Sequence, residues 1–242
     1  MSVPGWRRLA QPWAATVGLA ACLTLPLTSR GETSTDAARP RLAPLELRLP
    51  LPVFTGTPPE FKTTEHMEKF SDEPRPALLV PAGVTNVARG KKVTSSDPRP
   101  SSGTPDLVTD GDKEANEDCY LQLHRKTQFV QIDLGSSCDI HAIAIWHAHN
   151  TPHVYHDVVV QLADDRDFTA GVRTVFNNDY DNSSGLGAGA DKEYWETSEG
   201  KLIPVKGLRA RYLRAYSNGS TFDALNRCTE IEVYALESAG LR

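Results

Sequence analysis

Four of the chain's seven histidines fall in one short run, Trp146-His147-Ala148-His149-Asn150-Thr151-Pro152-His153-Val154-Tyr155-His156. A neutral imidazole donates and accepts hydrogen bonds at once, so such a loop can grip sugar hydroxyls, and Tyr155 or Trp146 adds an apolar face for a pyranose ring. His147 and His149 stand two apart, which on a strand sends both rings to one side. A third ring from His153 or His156 would complete a transition-metal site. The plainer alternative is a polar loop whose histidines bond its own backbone. The expected ligand contacts are therefore His147, His149, His153, Tyr155 and His156. Trp146 continues the alternation of Ala144 and is expected in the core.

Oxygen donors concentrate in two other places. Asp110-Gly111-Asp112 sets two carboxylates around a residue that tolerates unusual backbone angles, as a Ca²⁺ loop requires; the competing reading is a tight turn with solvated carboxylates. Asn177-Asn178-Asp179-Tyr180-Asp181-Asn182-Ser183-Ser184-Gly185 starts like an EF-hand loop. Its glycine comes too late and no glutamate closes the loop, so a long turn on a binding rim is expected. No Gly-x-Ser-x-Gly elbow, His-Glu-x-x-His or phosphate loop occurs, and the chain reads as a non-enzyme.

The elements that must hold these loops are strands. Phe129 to Gly135, Ile140 to Trp146, Val154 to Leu162, Arg211 to Tyr216 and Thr229 to Tyr234 alternate or run apolar, with Gly, Asn, Asp and Ser between them. Short strands broken by turn signals, with no amphipathic helix among them, predict an all-β sandwich or barrel. The 242 residues, 39% hydrophobic and 24% charged, suit one such domain with accessory segments and exclude collagen, coiled-coil and polytopic membrane architectures. A net charge of -5 without a Lys/Arg block excludes the electrostatic footprint of a nucleic-acid binder.

The N-terminal third differs in composition. Residues 1–31 carry Arg7 and Arg8, an apolar run from Ala14 to Leu27 and a small, polar exit, the pattern of a signal peptide too short for a membrane span. Export to the cell surface, periplasm or medium is expected, with no transmembrane helix in the mature chain. Leu19-Ala20-Ala21-Cys22 is similar to a bacterial lipobox, which would anchor the chain through Cys22, but the apolar run continues past it. Cleavage after residue 31 would leave 23 basic and 31 acidic groups, a net charge of −8. Residues 32–85 then hold nine of the 17 prolines and form a proline-rich arm. Within it, Leu45, Leu47, Leu49, Leu51 and Val53 alternate with other residues and predict an edge strand over 45–54; an extended polyproline arm lying in a groove is the alternative. Cys119, Cys138 and Cys228 remain, of which an oxidising compartment would pair two.

Four segments in order, Asn86 to Ser96, Thr109 to Asp112, Gln128 to Gly135 and Thr229 to Tyr234, resemble those of discoidin domains, also called coagulation-factor five/eight C-terminal type domains, which overlap with carbohydrate-binding modules and fucolectins. The resemblance covers most of residues 86–237. It implies a galactose-binding-like jelly-roll β-sandwich with ligand loops at one end, a carbohydrate or cell-surface ligand, and a structural Ca²⁺. Carried over residue by residue, the Ca²⁺ ligands would be the Leu107 carbonyl, Asp110, Asp112, Asp118 and Glu230. It also implies a Cys119–Cys228 disulfide, leaving Cys138 free. Histidines stand where fucolectins place arginines, which argues against fucose. A scaffold whose arm engages a protein partner, and a histidine-based metal-binding accessory protein, are the other functions the sequence permits. In this family Arg211, Tyr212 and Arg214 belong to a sheet segment, where cross-strand pairing is expected.

Overall fold

The computed structural model describes residues 40–54, 64–69, 71 and 73–236. The leader over 1–31, and with it Cys22, lies outside the described residues. Ten strands form: β1 (Leu42–Pro44), β2 (Leu79–Pro81), β3 (Thr85–Asn86), β4 (Lys92–Ser95), β5 (Leu121–Leu123), β6 (Gln128–His147), β7 (Val159–Ala163), β8 (Arg173–Asn177), β9 (Lys201–Ser217) and β10 (Asn226–Leu236). Every strand pairing is antiparallel. Among the described residues, no helix is long and apolar enough to cross a membrane.

Two long strands build both layers. The first half of β6 pairs with β4 and with the C-terminal half of β9, which β7 and β8 extend; its second half pairs with β10 and the N-terminal half of β9. The register breaks between Asp133 and Cys138, where Gly135 takes φ 88°, and Lys206 and Gly207 on the partner strand also have positive φ. Bulges of this kind bend a strand, so one hydrogen-bonded ribbon folds over on itself. Val130, Ile132 and Leu134 from one side and Ile143, Ile145, Ile231 and Val233 from the other then share a single core. Burying each such side chain contributes about 1.5–3 kcal/mol. The alternation read from the sequence is the cause: one face of each strand is apolar.

The second half of β6 is buried on its outer face too, because the arm lies over it. Leu45 and Leu47 pack with Val80, Ala142 and Tyr234 in a second, smaller core. The expected strand over 45–54 is displaced. The ladder is β1 against β2, three residues earlier, and Leu49, Leu51 and Val53 are exposed. Pro50 and Pro52 have no N–H to donate, so the stretch where a strand was expected is poor in ladder donors. Residues 64–69 form a turn and a single bridge, Met67 to Glu193. Trp146 is buried as expected, but on this outer face: its indole donates to the Ser198 carbonyl at 3.0 Å and the Lys113 ammonium lies 4.9 Å from its ring.

Candidate functional site

The histidine run leaves the end of β6 and crosses to β7. His147 is in phase with Ile143 and Ile145, so its ring continues the inward face of the strand. Its Nδ1 lies 2.5 Å from Glu196 Oε1, both groups are buried, and the ring stacks on Tyr155 at 4.3 Å. His149 is fully buried and donates from Nε2 to the Lys113 carbonyl at 2.9 Å. His153 donates from Nε2 to the Ala148 carbonyl at 2.7 Å and accepts from the Thr151 hydroxyl at 3.0 Å, the pattern of a neutral imidazole. Burial lowers its pKa in agreement with that. His156 faces Glu193 Oε1 at 3.0 Å, and that hydrogen bond raises its pKa.

These placements correct the sequence reading. His147, His149 and Tyr155 are closed off from solvent, and burial pushes the Tyr155 hydroxyl well above its usual range. They brace the loop from within and offer almost no surface to solvent. The four imidazoles take four separate partners. Among the described residues, the trio of metal-ligating side chains whose ligand atoms lie within 4.8 Å of one another is Asp157, Asp179 and Asp181, with no histidine in it. Those carboxylates are engaged by their own loop: Asp179 accepts from Ser183 and Ser184, and Asp157 from the Ser183 hydroxyl and Asn218.

A different set of side chains lines a cleft at the same end, some exposed, such as Thr151 and Phe222, and some buried, such as His153 and Tyr120. Asn150, Thr151 and His153 from the loop after β6, Phe222 and Arg227 from the β9–β10 connection, and Asp118, Tyr120 and Gln122 on the far wall line a cleft of about 340 Å³. Phe222 is 66% exposed, which is unusual for a phenylalanine. Beside it the Arg227 guanidinium, 5.7 Å from the ring centroid, donates to both oxygens of Asp223 at 2.9 and 2.7 Å and to Gln122 Oε1 at 2.7 Å. That pairing holds the Asp223 carboxyl below its usual pKa. Of the residues expected to bind, the cleft gathers His153 and Asp118; His156 lies apart from it. Sequence reasoning missed Phe222, Arg227, Asn150 and Gln122. The available signal was Phe222 itself, a lone aromatic in the polar turn Ser220 to Asp223.

The proposed cation loop is partly assembled. Gly111 donates to Glu230 Oε2 at 3.0 Å, while Asp110 and Asp112 each accept a backbone N–H two residues on, at 2.8 and 2.9 Å. Gly111 has φ 80°, a backbone conformation strained for any residue with a Cβ, and the Arg89 guanidinium occupies the space a Cβ would take. Glu230 is fully buried, its Oε1 has no hydrogen-bond partner, and burial raises its pKa to about 8. An orphaned buried carboxylate oxygen is one that a cation or a proton would satisfy, so the residues fit the implied ion at this corner. Asp118 does not join: it faces the cleft.

The implied disulfide is not formed; Cys119, Cys138 and Cys228 are free thiols. Register explains this. Cys228 sits opposite Leu121 on β5, two residues beyond Cys119, and is buried, whereas the Cys119 thiol turns to Asp112 Oδ2 at 3.4 Å.

No family model matches the chain, and no curated protein matches it. Solved structures do align with it. They include the CBM32 module of AlyQ in complex with 4,5-unsaturated mannuronic acid (17% identity, 59% of this chain and 92% of that one, TM-score 0.43). A second is the CpGH89CBM32-4 module of Clostridium perfringens in complex with GlcNAc-α-1,4-galactose (20%, 64% and 97%, TM-score 0.45). A third is a Streptococcus pneumoniae fucose binding module (16%, 63% and 99%, TM-score 0.46).

Proposed function

We propose that the chain is an exported, non-catalytic carbohydrate-binding module whose ligand occupies the cleft between Phe222, Asn150, His153 and Arg227. The observation that carries this reading is the exposed Phe222 ring, backed by a hydrogen-bonded arginine and ringed by amide, hydroxyl and imidazole groups. A pyranose offers an apolar face to such a ring and hydroxyls to such a rim. Export is supported by the basic and apolar leader, and the buried His147–Glu196 pair, closed off beneath Tyr155, has no access to a bound sugar for catalysis.

A structural Ca²⁺ belongs to the same proposal. Asp110, Asp112 and Glu230 would hold it, the orphaned Glu230 oxygen supporting the assignment. The ion would tie β10 to the turn before β5 and leave the sugar contacts to the side chains of the cleft.

The test is a glycan array with the mature chain, run in Ca²⁺ and in chelator, beside Phe222→Ala. Binding of neutral saccharides that falls at least tenfold in Phe222→Ala is expected. Binding to no glycan, with one protein partner recovered instead, would favour the adhesion reading, for which the exposed Leu49, Leu51 and Val53 of the arm would be the surface.

A further inference from the structure

A second cavity, of about 200 Å³, opens on the outer face of the other layer, where β4, β6 and β9 run side by side. The register sets two rows across this face: Lys92, Asp133 and Tyr212, then Thr94, Gln131 and Arg214. With Arg166 and Arg211 they surround the opening. Arg211 gives two of its donors to Asp133, at 2.8 and 2.9 Å, which is the cross-strand pairing the sequence suggested and cancels both charges. Lys92 and Arg166 make no ion pair among the described residues, although the Arg166 charge also helps hold the Asp133 carboxyl below its usual pKa; the lining carries three cations against one carboxylate.

The backbone around Arg166 is held in place from below. Its loop is closed by Asp165, which accepts from the backbone of Asp167, Thr169 and Ala170 and from the Thr169 hydroxyl. The Arg214 guanidinium, 4.4 Å from the Phe129 ring and 4.3 Å from the Phe168 ring, is sandwiched between them and anchors the loop to the sheet. Phe168 is kept at φ 57°, a conformation costly for a bulky residue. Arg214 also donates to Gln131 Oε1 at 2.6 Å, which turns the Gln131 amide nitrogen free as a donor.

We propose that this cavity binds an acidic saccharide, its carboxylate or sulfate held by Lys92 and Arg166 and its hydroxyls by Thr94, Gln131 and Tyr212. Fixed cations with uncharged donors and acceptors between them match a charged sugar. A nucleotide is a poorer match, since the Tyr212 ring lies under Arg211 at 5.0 Å and the Phe129 ring under Arg214, leaving no bare face for a base. The site is separate from the loop-end cleft and shares none of its lining residues.

Calorimetric titration of the mature chain with trigalacturonate, galactose 6-sulfate, a neutral galactose trisaccharide and inorganic sulfate tests this. In the doubly substituted Lys92→Gln/Arg166→Gln chain, both acidic ligands should bind about tenfold more weakly, the neutral sugar being unaffected. Both side chains are exposed, so an unchanged melting curve checks the fold. Phe222→Ala should leave the acidic ligands untouched. The proposal is overturned if no acidic saccharide binds, if the double substitution has no effect, if Phe222→Ala removes their binding, or if inorganic sulfate binds as tightly as the saccharides.

Discussion

The loop-end cleft and the sheet-face cavity are each built around the same device, an arginine holding both oxygens of an aspartate: Arg227 with Asp223 in one, Arg211 with Asp133 in the other. What differs is the remainder. Around Arg227 the other ionised groups are Glu117 and Asp118, and the Phe222 ring stays largely exposed. Around Arg211 they are Lys92 and Arg166, and the rings are covered by guanidinium groups. A paired arginine contributes shape and donors, while the charge left after pairing decides which ligand is admitted. On that account the cleft suits neutral sugars and the cavity acidic ones.

The two pairs should also respond unequally to loss of the arginine. Arg227 is nearly buried and serves three acceptors; the Arg211 side chain is 41% exposed. Arg227→Met would leave Asp223 and Gln122 without their partner, costing about 2–3 kcal/mol and lowering Tm by roughly 5–10 °C in a domain of this size. Neutral-sugar binding should fall with it. Arg211→Met should barely move Tm. Equal shifts in differential scanning fluorimetry would mean that burial does not separate the pairs.

The loop end should in addition respond to pH where the sheet face does not. Glu230 has its folded pKa raised from the ordinary carboxyl value to about 8, so the folded state holds a proton that the unfolded chain has lost. Its contribution is then favourable below the unfolded pKa and lost as pH rises towards 8. In chelator, stability should decline by roughly 2 kcal/mol between pH 5 and 7. Glu230→Gln should flatten that slope, and Ca²⁺ should reverse it in the native chain. A slope unchanged by both would rule out Glu230 as its source and Ca²⁺ at this corner.

The frame was legible in the sequence because strands write their burial into a two-residue period, and Val130, Ile132, Leu134, Ile231 and Val233 sit on the face that period assigns. The site was less so. His147 keeps the phase of Ile143 and Ile145, and that phase, more than its chemistry, decides that it is buried. The Leu45 to Val53 alternation was true to Leu47 and then ended at prolines. Arg227 meets Gln122, and Lys92 meets Asp133, only through register between distant strands, which no local pattern encodes. Cys119 and Cys228 failed to pair for the same reason, a two-residue offset.

Ionic strength gives the finest separation of the two sites. Exposed charges are screened within about 10 Å at 0.1 M salt and about 3 Å at 1 M, whereas stacking on Phe222 and hydrogen bonds to Asn150 involve no net charge. Acidic saccharide binding at Lys92 and Arg166 should therefore weaken steadily as salt rises. Neutral-sugar binding should stay constant within measurement error over the same range, or strengthen slightly as apolar contact is favoured by salt exclusion. If both affinities fell in parallel, Glu117 and Asp118 would not be setting the character of the cleft, and residual charge after pairing would not be what distinguishes the two surfaces.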